Sequence, residues 1–155
     1  MIGLKEKLKR ELKSDEQSHV DWVKRKNDWI ASVDELNTQI QDWFGDFKEE
    51  GLVEFELTRK SNTEEYIGSY EVNVLHLNFT NGREVIVEPM GTLIIGAWAR
   101  FDIFMRGYNS GRYYILRDKD KNGNFSWSIA NPDHIRDIKP LNKVILEEIF
   151  DKWLI

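Results

Sequence analysis

At Leu52 the spacing of apolar side chains changes from a helical period to a period of two. That switch confines the chain to helices first and a sheet afterwards. Upstream, Trp22, Trp29, Val33, Leu36, Ile40, Trp43 and Phe47 form a seam, and from Trp29 onward its steps are 4, 3, 4, 3 and 4. This is the spacing of one helix face, and Val23, Ile30 and Phe44 widen it. Ser14 followed by Gln17 makes a capping-box pattern, so a short helix over 3–13, with Leu4, Leu8 and Leu12 as its stripe, is expected before a second one starting near Asp15. Gly51, or Gly45 a turn or two earlier, is expected to end it. Unbroken from 15 to 50, such a helix would be ~54 Å long at ~1.5 Å per residue. A break near Asn27-Asp28, or an overhang beyond the sheet, is the expectation.

Downstream, Val53, Phe55 and Leu57 alternate with Glu54, Glu56 and Thr58. Lys60 to Thr63 is expected to turn the chain. In the next strand, Tyr70, Val72 and Val74 occupy one face, and Leu75, Leu77 and Phe79 the other. The phase slip between them points to a bulge or to burial on both sides. Asn81-Gly82 predicts a hairpin with a two-residue loop, which would set His76 opposite Val87 and Glu84 on the other face. Gly91 is expected to open a strand with Ala97, Ala99, Phe101, Ile103 and Met105 on one face and Trp98, Arg100, Asp102 and Phe104 on the other. Gly107 to Gly111 turns the chain into "RYYILRD" and then "FSWSIAN". Asn131-Pro132-Asp133 is expected to end the sheet. Asn142 then caps a last helix with Val144, Ile145, Ile149, Phe150 and Trp153 as its stripe. The expected fold is a two-layer α+β domain in which N-terminal helices, one of them long, and a C-terminal helix pack on a mainly antiparallel meander. One domain over 1–155 is expected, helical over 1–51, a sheet over 52–131 and a helix over 141–155.

The run "DKDKNGNFSW", Asp118 to Trp127, matches the first half of a calcium loop. Its twelfth position is Ile129 rather than a bidentate glutamate, and its flanks alternate like strands. Asn122-Gly123 therefore reads as a type I′ turn, with Asp120 facing Phe125 and Asp118 facing Trp127. The absence of cysteine removes disulfides and thiolate sites, and no nucleophile-elbow, phosphate-loop or dinucleotide motif occurs. No cofactor and no metal site is expected, and the reading points away from an enzyme.

Charge is unevenly placed along a chain of net charge -5. Residues 1–30 hold eight Lys/Arg against six Asp/Glu, and the remainder holds fourteen against twenty-one. An acidic body repels a phosphate backbone, which argues against nucleic acid as the main partner. The amino terminus has no apolar core of a leader, and no run reaches the ~18 apolar residues of a membrane span, so a cytoplasmic location is expected.

Two surfaces can carry recognition. Trp98, Arg100, Asp102 and Phe104, with Tyr114, would form a polar and aromatic stripe on the sheet face away from the helices, and Trp22 could anchor a partner. The first expectation is a non-enzymatic protein-binding module, such as an immunity- or antitoxin-like inhibitor or an accessory subunit of a bacterial system, with self-association through the long helix open. The second is a small-molecule or anion-binding domain using the sheet face. A third, a hydrolase, would need His76 or His134 beside a carboxylate.

Overall fold

The computed structural model describes residues 3–92, 98–107 and 111–155, with the side chains of 11–21 and 135 outside the description. Helix α1 runs Leu4–Trp43 and a short α2 runs Gly45–Glu49. Seven strands follow: β1 Val53–Glu64, β2 Gly68–Phe79, β3 Glu84–Thr92, β4 Ala99–Met105, β5 Tyr113–Lys119, β6 Phe125–Asn131 and β7 His134–Pro140. Helix α3, Lys143–Leu154, closes the described order. The strands form one antiparallel meander in the order β1-β2-β3-β4-β5-β6-β7. The fold is α+β, with helices packed on a sheet.

Four expectations about elements are corrected. The helices expected over 3–13 and from Asp15 are one helix of 40 residues, with Ser14 in its interior. Leu4 to Trp43 contains neither glycine nor proline, and interior Ser or Asn costs a helix only ~0.7 kcal/mol or less against alanine. Continuity therefore outweighs the capping box, and no break falls at Asn27-Asp28. The first glycine after Gly3 is Gly45, where the helix is interrupted and restarts as α2. The first turn lies not at Lys60–Thr63 but at Glu65–Ile67, because β1 and β2 pair from Val53↔Phe79 to Glu64↔Gly68. Gly91 ends β3 instead of opening β4. The segment after Asn131 is a seventh edge strand, whose pairing begins at Asn131↔His134.

Both Asn-Gly hairpins have three-residue loops where two were expected. Phe79 N–H donates to Arg83 O (2.9 Å), and Asp120 N–H to Asn124 O (2.9 Å). A type I′ turn needs φ > 0 at both central residues. Here only the glycines supply it, Gly82 and Gly123 each at φ 83, while Tyr66 is the sole non-glycine with positive φ among the described residues. That is the three-residue loop in which an αL glycine makes the bulge. One added loop residue slides the register by one and turns every following side chain to the opposite face.

The core lies between the helices and one face of the sheet. Trp29, Val33, Leu36, Ile40 and Phe44 are fully buried, packed with Leu75, Leu77, Val85, Val87, Ala99, Phe101, Ile103, Ile115 and Ile129. Asn142 caps α3 by accepting from Ile145 N–H (2.9 Å). The buried stripe of α3 is Leu146, Ile149, Phe150 and Trp153, whereas Val144 of the expected stripe is exposed.

Strand β2 pairs with β3 only over Leu75–Asn78, so the outer half of the β1–β2 hairpin runs on as a two-stranded ribbon. Such ribbons twist most strongly. The twist brings Tyr70 and Val72 into the core beside Leu75 and Leu77 with no bulge in either pairing of β2. The ribbon tip is then tied back to β3. Glu64 Oε1 accepts from Thr92 N–H (2.8 Å) and Thr92 Oγ1–H (2.9 Å). Lys60 donates to Pro89 O (3.0 Å). Gly91 has φ 151, and a Cβ there would stand 3.0 Å from Glu64 Oε1, so the approach needs glycine.

Candidate functional site

Strand alternation carries Arg100, Asp102 and Phe104 to the sheet face away from the helices, and pairing sets Tyr114 opposite Asp102. Asp102 is 1% exposed, although it sits on the face that no described helix covers. Two guanidinium groups close over it. Arg100 Nε lies 3.0 Å from Asp102 Oδ1, and Arg112 Nη1 donates to Oδ2. The Arg100 approach is charge contact without hydrogen-bond alignment, since neither Arg100 Nε nor Oδ1 has a hydrogen-bond partner. Each arginine also stacks on a ring, Arg100 on Tyr114 at 4.3 Å and Arg112 on Phe104 at 4.4 Å. Two cations thus face one buried anion, while Glu88, opposite Asp102 on β3, is paired with Lys60 at 3.8 Å. Arg112 was not among the expected residues, yet it stands two before Tyr114, the spacing that puts side chains on one face.

Trp98 does not join that stripe. It precedes β4, and its ring packs on the helix side, edge-on to Trp29 (6.2 Å) and to Phe125 (5.0 Å). Strand alternation stops where the ladder stops, which is why period-two counting misplaced it. Its carbonyl accepts from Arg25 Nη2–H at 2.8 Å. The Arg25 guanidinium lies 5.0 Å from the Trp98 ring and 5.7 Å from the Trp22 ring. Burial lowers the pKa of Arg25 from its ordinary value, with Glu64 opposing. Trp22 is half-buried, stacked on Tyr66 at 5.4 Å and 11°. The Trp22–Tyr66 stack clasps α1 to the hairpin tip, and Arg25 extends the contact from Trp22 to Trp98.

His76 also departs from expectation. With the register moved by one it faces Ile86 rather than Val87, and Glu84 shares its face. His76 Nδ1 lies 2.5 Å from Glu84 Oε1, and His76 Nε2 lies 2.8 Å from Thr58 Oγ1. Arg106 Nε–H donates to Glu84 Oε2 at 2.6 Å. Arg106 first, and His76 after it, hold the Glu84 carboxyl below its usual range against an opposing desolvation. The order hydroxyl, imidazole, carboxylate is that of a nucleophile with its base and orienter. None of the three cavities described is lined by Thr58, His76 or Glu84. The chain of contacts crosses β1, β2 and β3 and ties them together. His134 is exposed on β7 and makes no ion pair among the described residues.

In the acidic turn, the strand register overturns both expected pairings: Asp118 faces Ser126, and Asp120 joins Asn124. Asp120 Oδ1 accepts the backbone N–H groups of Asn122 (2.8 Å) and Asn124 (2.9 Å). These amides, Asn124 foremost, lower its pKa. Asp118 accepts from Ser128 Oγ–H (3.1 Å). Both carboxylates are thus engaged by the hairpin itself. Among the described residues no three His, Asp or Glu side chains converge as metal ligands.

An open apolar surface lies elsewhere, where α2, the end of β2 and α3 meet. A groove of about 450 Å³ is lined by Phe44, Phe47, Phe79, Val144, Phe150, Leu154 and Ile155, with Glu147, Glu148 and Asp151 among its residues. Phe44 and Phe150 form a buried floor, their ring centroids 5.2 Å apart. Val144 is 61% exposed and Ile155 93%. Pattern counting placed Val144 in the core stripe, so this groove was not foreseen. Its sequence trace is the alternation of apolar residues with the carboxylates of "VILEEIFDKWLI".

No helix among the described residues is long and apolar enough to cross a membrane. No protein-family model, no curated protein and no solved structure matches the chain.

Proposed function

We propose that the protein is a non-enzymatic protein-binding module that docks its partner on the groove between α2, β2 and α3. The observation that carries this reading is an aromatic floor left open between exposed Val144 and Ile155, beside three carboxylates. An apolar centre with a charged rim is how protein interfaces are built. A row of carboxylates repels phosphates and acidic metabolites, and it suits a partner with basic residues around an apolar anchor. An inhibitor of the immunity or antitoxin kind, or an accessory subunit, is a narrower form of the same reading. The test is affinity capture from the native host with the wild-type chain and with Val144→Asp. A stoichiometric partner held by the first and lost by the second is expected. Equal recovery by both chains removes the groove from the reading.

A second reading, anion binding on the sheet face, is favoured by one observation: two guanidiniums close over one carboxylate at Asp102. A rise in melting temperature with inorganic phosphate, lost in Arg112→Met, would support it.

A further inference from the structure

We infer that the groove receives the N-terminal turns of α1 from a second copy of this chain, so that the protein self-associates through its long helix. The inference rests on the reading of the groove as a docking surface and names its occupant. Residues Gly3 to Arg10 are exposed throughout. Leu4 and Leu8, 74% and 55% exposed, stand one turn apart on one face of α1 and touch no part of their own core. Lys5 and Lys7 flank that leucine stripe on either side, and Lys9 lies one turn beyond Lys5. Between Leu4 and Arg10 four cations stand against the single carboxylate of Glu6. The segment is therefore an apolar stripe with basic shoulders. The groove is an apolar floor bordered by Glu147, Glu148 and Asp151, with Lys143 paired to Glu147 (4.0 Å) and Asp46 (3.4 Å) at the Phe47 end.

The two surfaces belong to one chain and cannot meet within it. Phe44, in the groove floor, directly follows the last residue of α1. Leu4 lies at the other end of that helix, ~60 Å away at ~1.5 Å per residue. A straight helix cannot bring its first turn to its own last turn, so the match of charge and apolar surface is satisfied only between molecules. A reciprocal arrangement, in which each copy lends its helix to the other's groove, closes as a two-fold dimer.

Light scattering on the full chain after size exclusion, from low micromolar to millimolar concentration, tests this. A dimer is expected for the wild type. Leu4→Asp with Leu8→Asp should weaken it by about a hundredfold or more, because burial of each leucine is worth on the order of tenfold or more. Both leucines are exposed in the single chain, so these variants keep the fold. Lys5→Glu with Lys9→Glu should also weaken the dimer, as should Glu147→Lys with Asp151→Lys. The two pairs of changes combined should restore it, which no misfolded variant would do. A wild type that is monomeric at every concentration overturns the inference, as does a dimer indifferent to Leu4 and Leu8. Binding of Nile red, a neutral apolar dye, separates the two failures. A monomer that takes up the dye in the wild type but not in Val144→Asp keeps the groove as a site for another partner. A monomer that binds no dye ends both readings.

Discussion

Tyr70 shows what a single side chain does in this fold. Its hydroxyl accepts from Trp29 Nε1–H (2.9 Å) and donates to Glu64, joining α1 to the ribbon tip. Tyr70→Phe strands a buried indole N–H and takes a donor from Glu64, at a cost of ~1–3 kcal/mol; the urea midpoint should fall accordingly. Burial first, and Glu64 second, push the Tyr70 phenol from 10.0 up to about 12. Between those values the unfolded chain ionises this phenol while the folded chain holds its proton. Its contribution to stability is therefore complete below pH 10 and declines as pH rises towards about 12. Unfolding curves of wild type and Tyr70→Phe should converge across that window, and a constant gap would show that the phenol is not held in this way. Asp102→Ala leaves Arg100 and Arg112 facing each other without their anion; both guanidinium groups are partly exposed and can turn to water, so a cost of ~1–3 kcal/mol is expected. Thermal unfolding measures it, and a change below ~1 kcal/mol would mean that water already serves the two arginines. Arg100, Asp102, Phe104 and Tyr114 were legible from alternation alone. The His76–Glu84 contact was not, because it depends on a loop one residue longer than its sequence suggested.

Turns decide the elements. Asn81-Gly82 and Asn122-Gly123 each announced a hairpin, and each hairpin exists, but glycine alone takes positive φ and the loop gains a residue. In the second hairpin the shifted register sets Arg117 opposite Trp127. Arg117 lies 4.2 Å from the Trp127 ring and 4.4 Å from Phe125, with Glu35 of α1 at 3.0 Å. The hairpin loop thereby fixes a contact between sheet and helix. Gly123→Ala tests the requirement: space around the position is ordinary, the nearest atom being Lys119 Cε at 3.7 Å, so only the φ of 83 is at stake. A loss of roughly 1–2 kcal/mol is expected in chemical denaturation. An unchanged midpoint would mean that the loop can relax into another turn. Helix α1 carries the opposite lesson. Its seam was legible, but its unity depended on what is missing between Leu4 and Trp43, namely glycine and proline.

At the scale of the molecule, the change of hydrophobic period at Leu52 was enough to read helices before a sheet, because helix and strand bury their residues at different repeats. The surfaces were harder, since sequence periodicity reports which face is buried and says little about which buried face stays partly open. Val144 belongs to the apolar pattern of α3 and yet stands at the lip of a groove. Part of the charge imbalance has a physical counterpart: Lys5, Lys7, Lys9 and Arg10 lie on the exposed first turns of α1, and Glu147, Glu148 and Asp151 lie beside the groove on α3. A single chain with such a helix scatters X-rays differently from a compact one. A compact domain of this length has a radius of gyration of about 15 Å, while α1 alone spans ~60 Å. Small-angle scattering on Leu4→Asp with Leu8→Asp, chosen to keep the chain monomeric, should give a larger radius and a distance distribution reaching at least ~60 Å. Removing residues 1–21 should shorten that distribution, because the described side chains before Trp22 touch none of the core. A radius of about 15 Å for the longer chain would mean that the helix folds back in solution, and the barrier to self-docking, on which the exchange between copies depends, would fall with it.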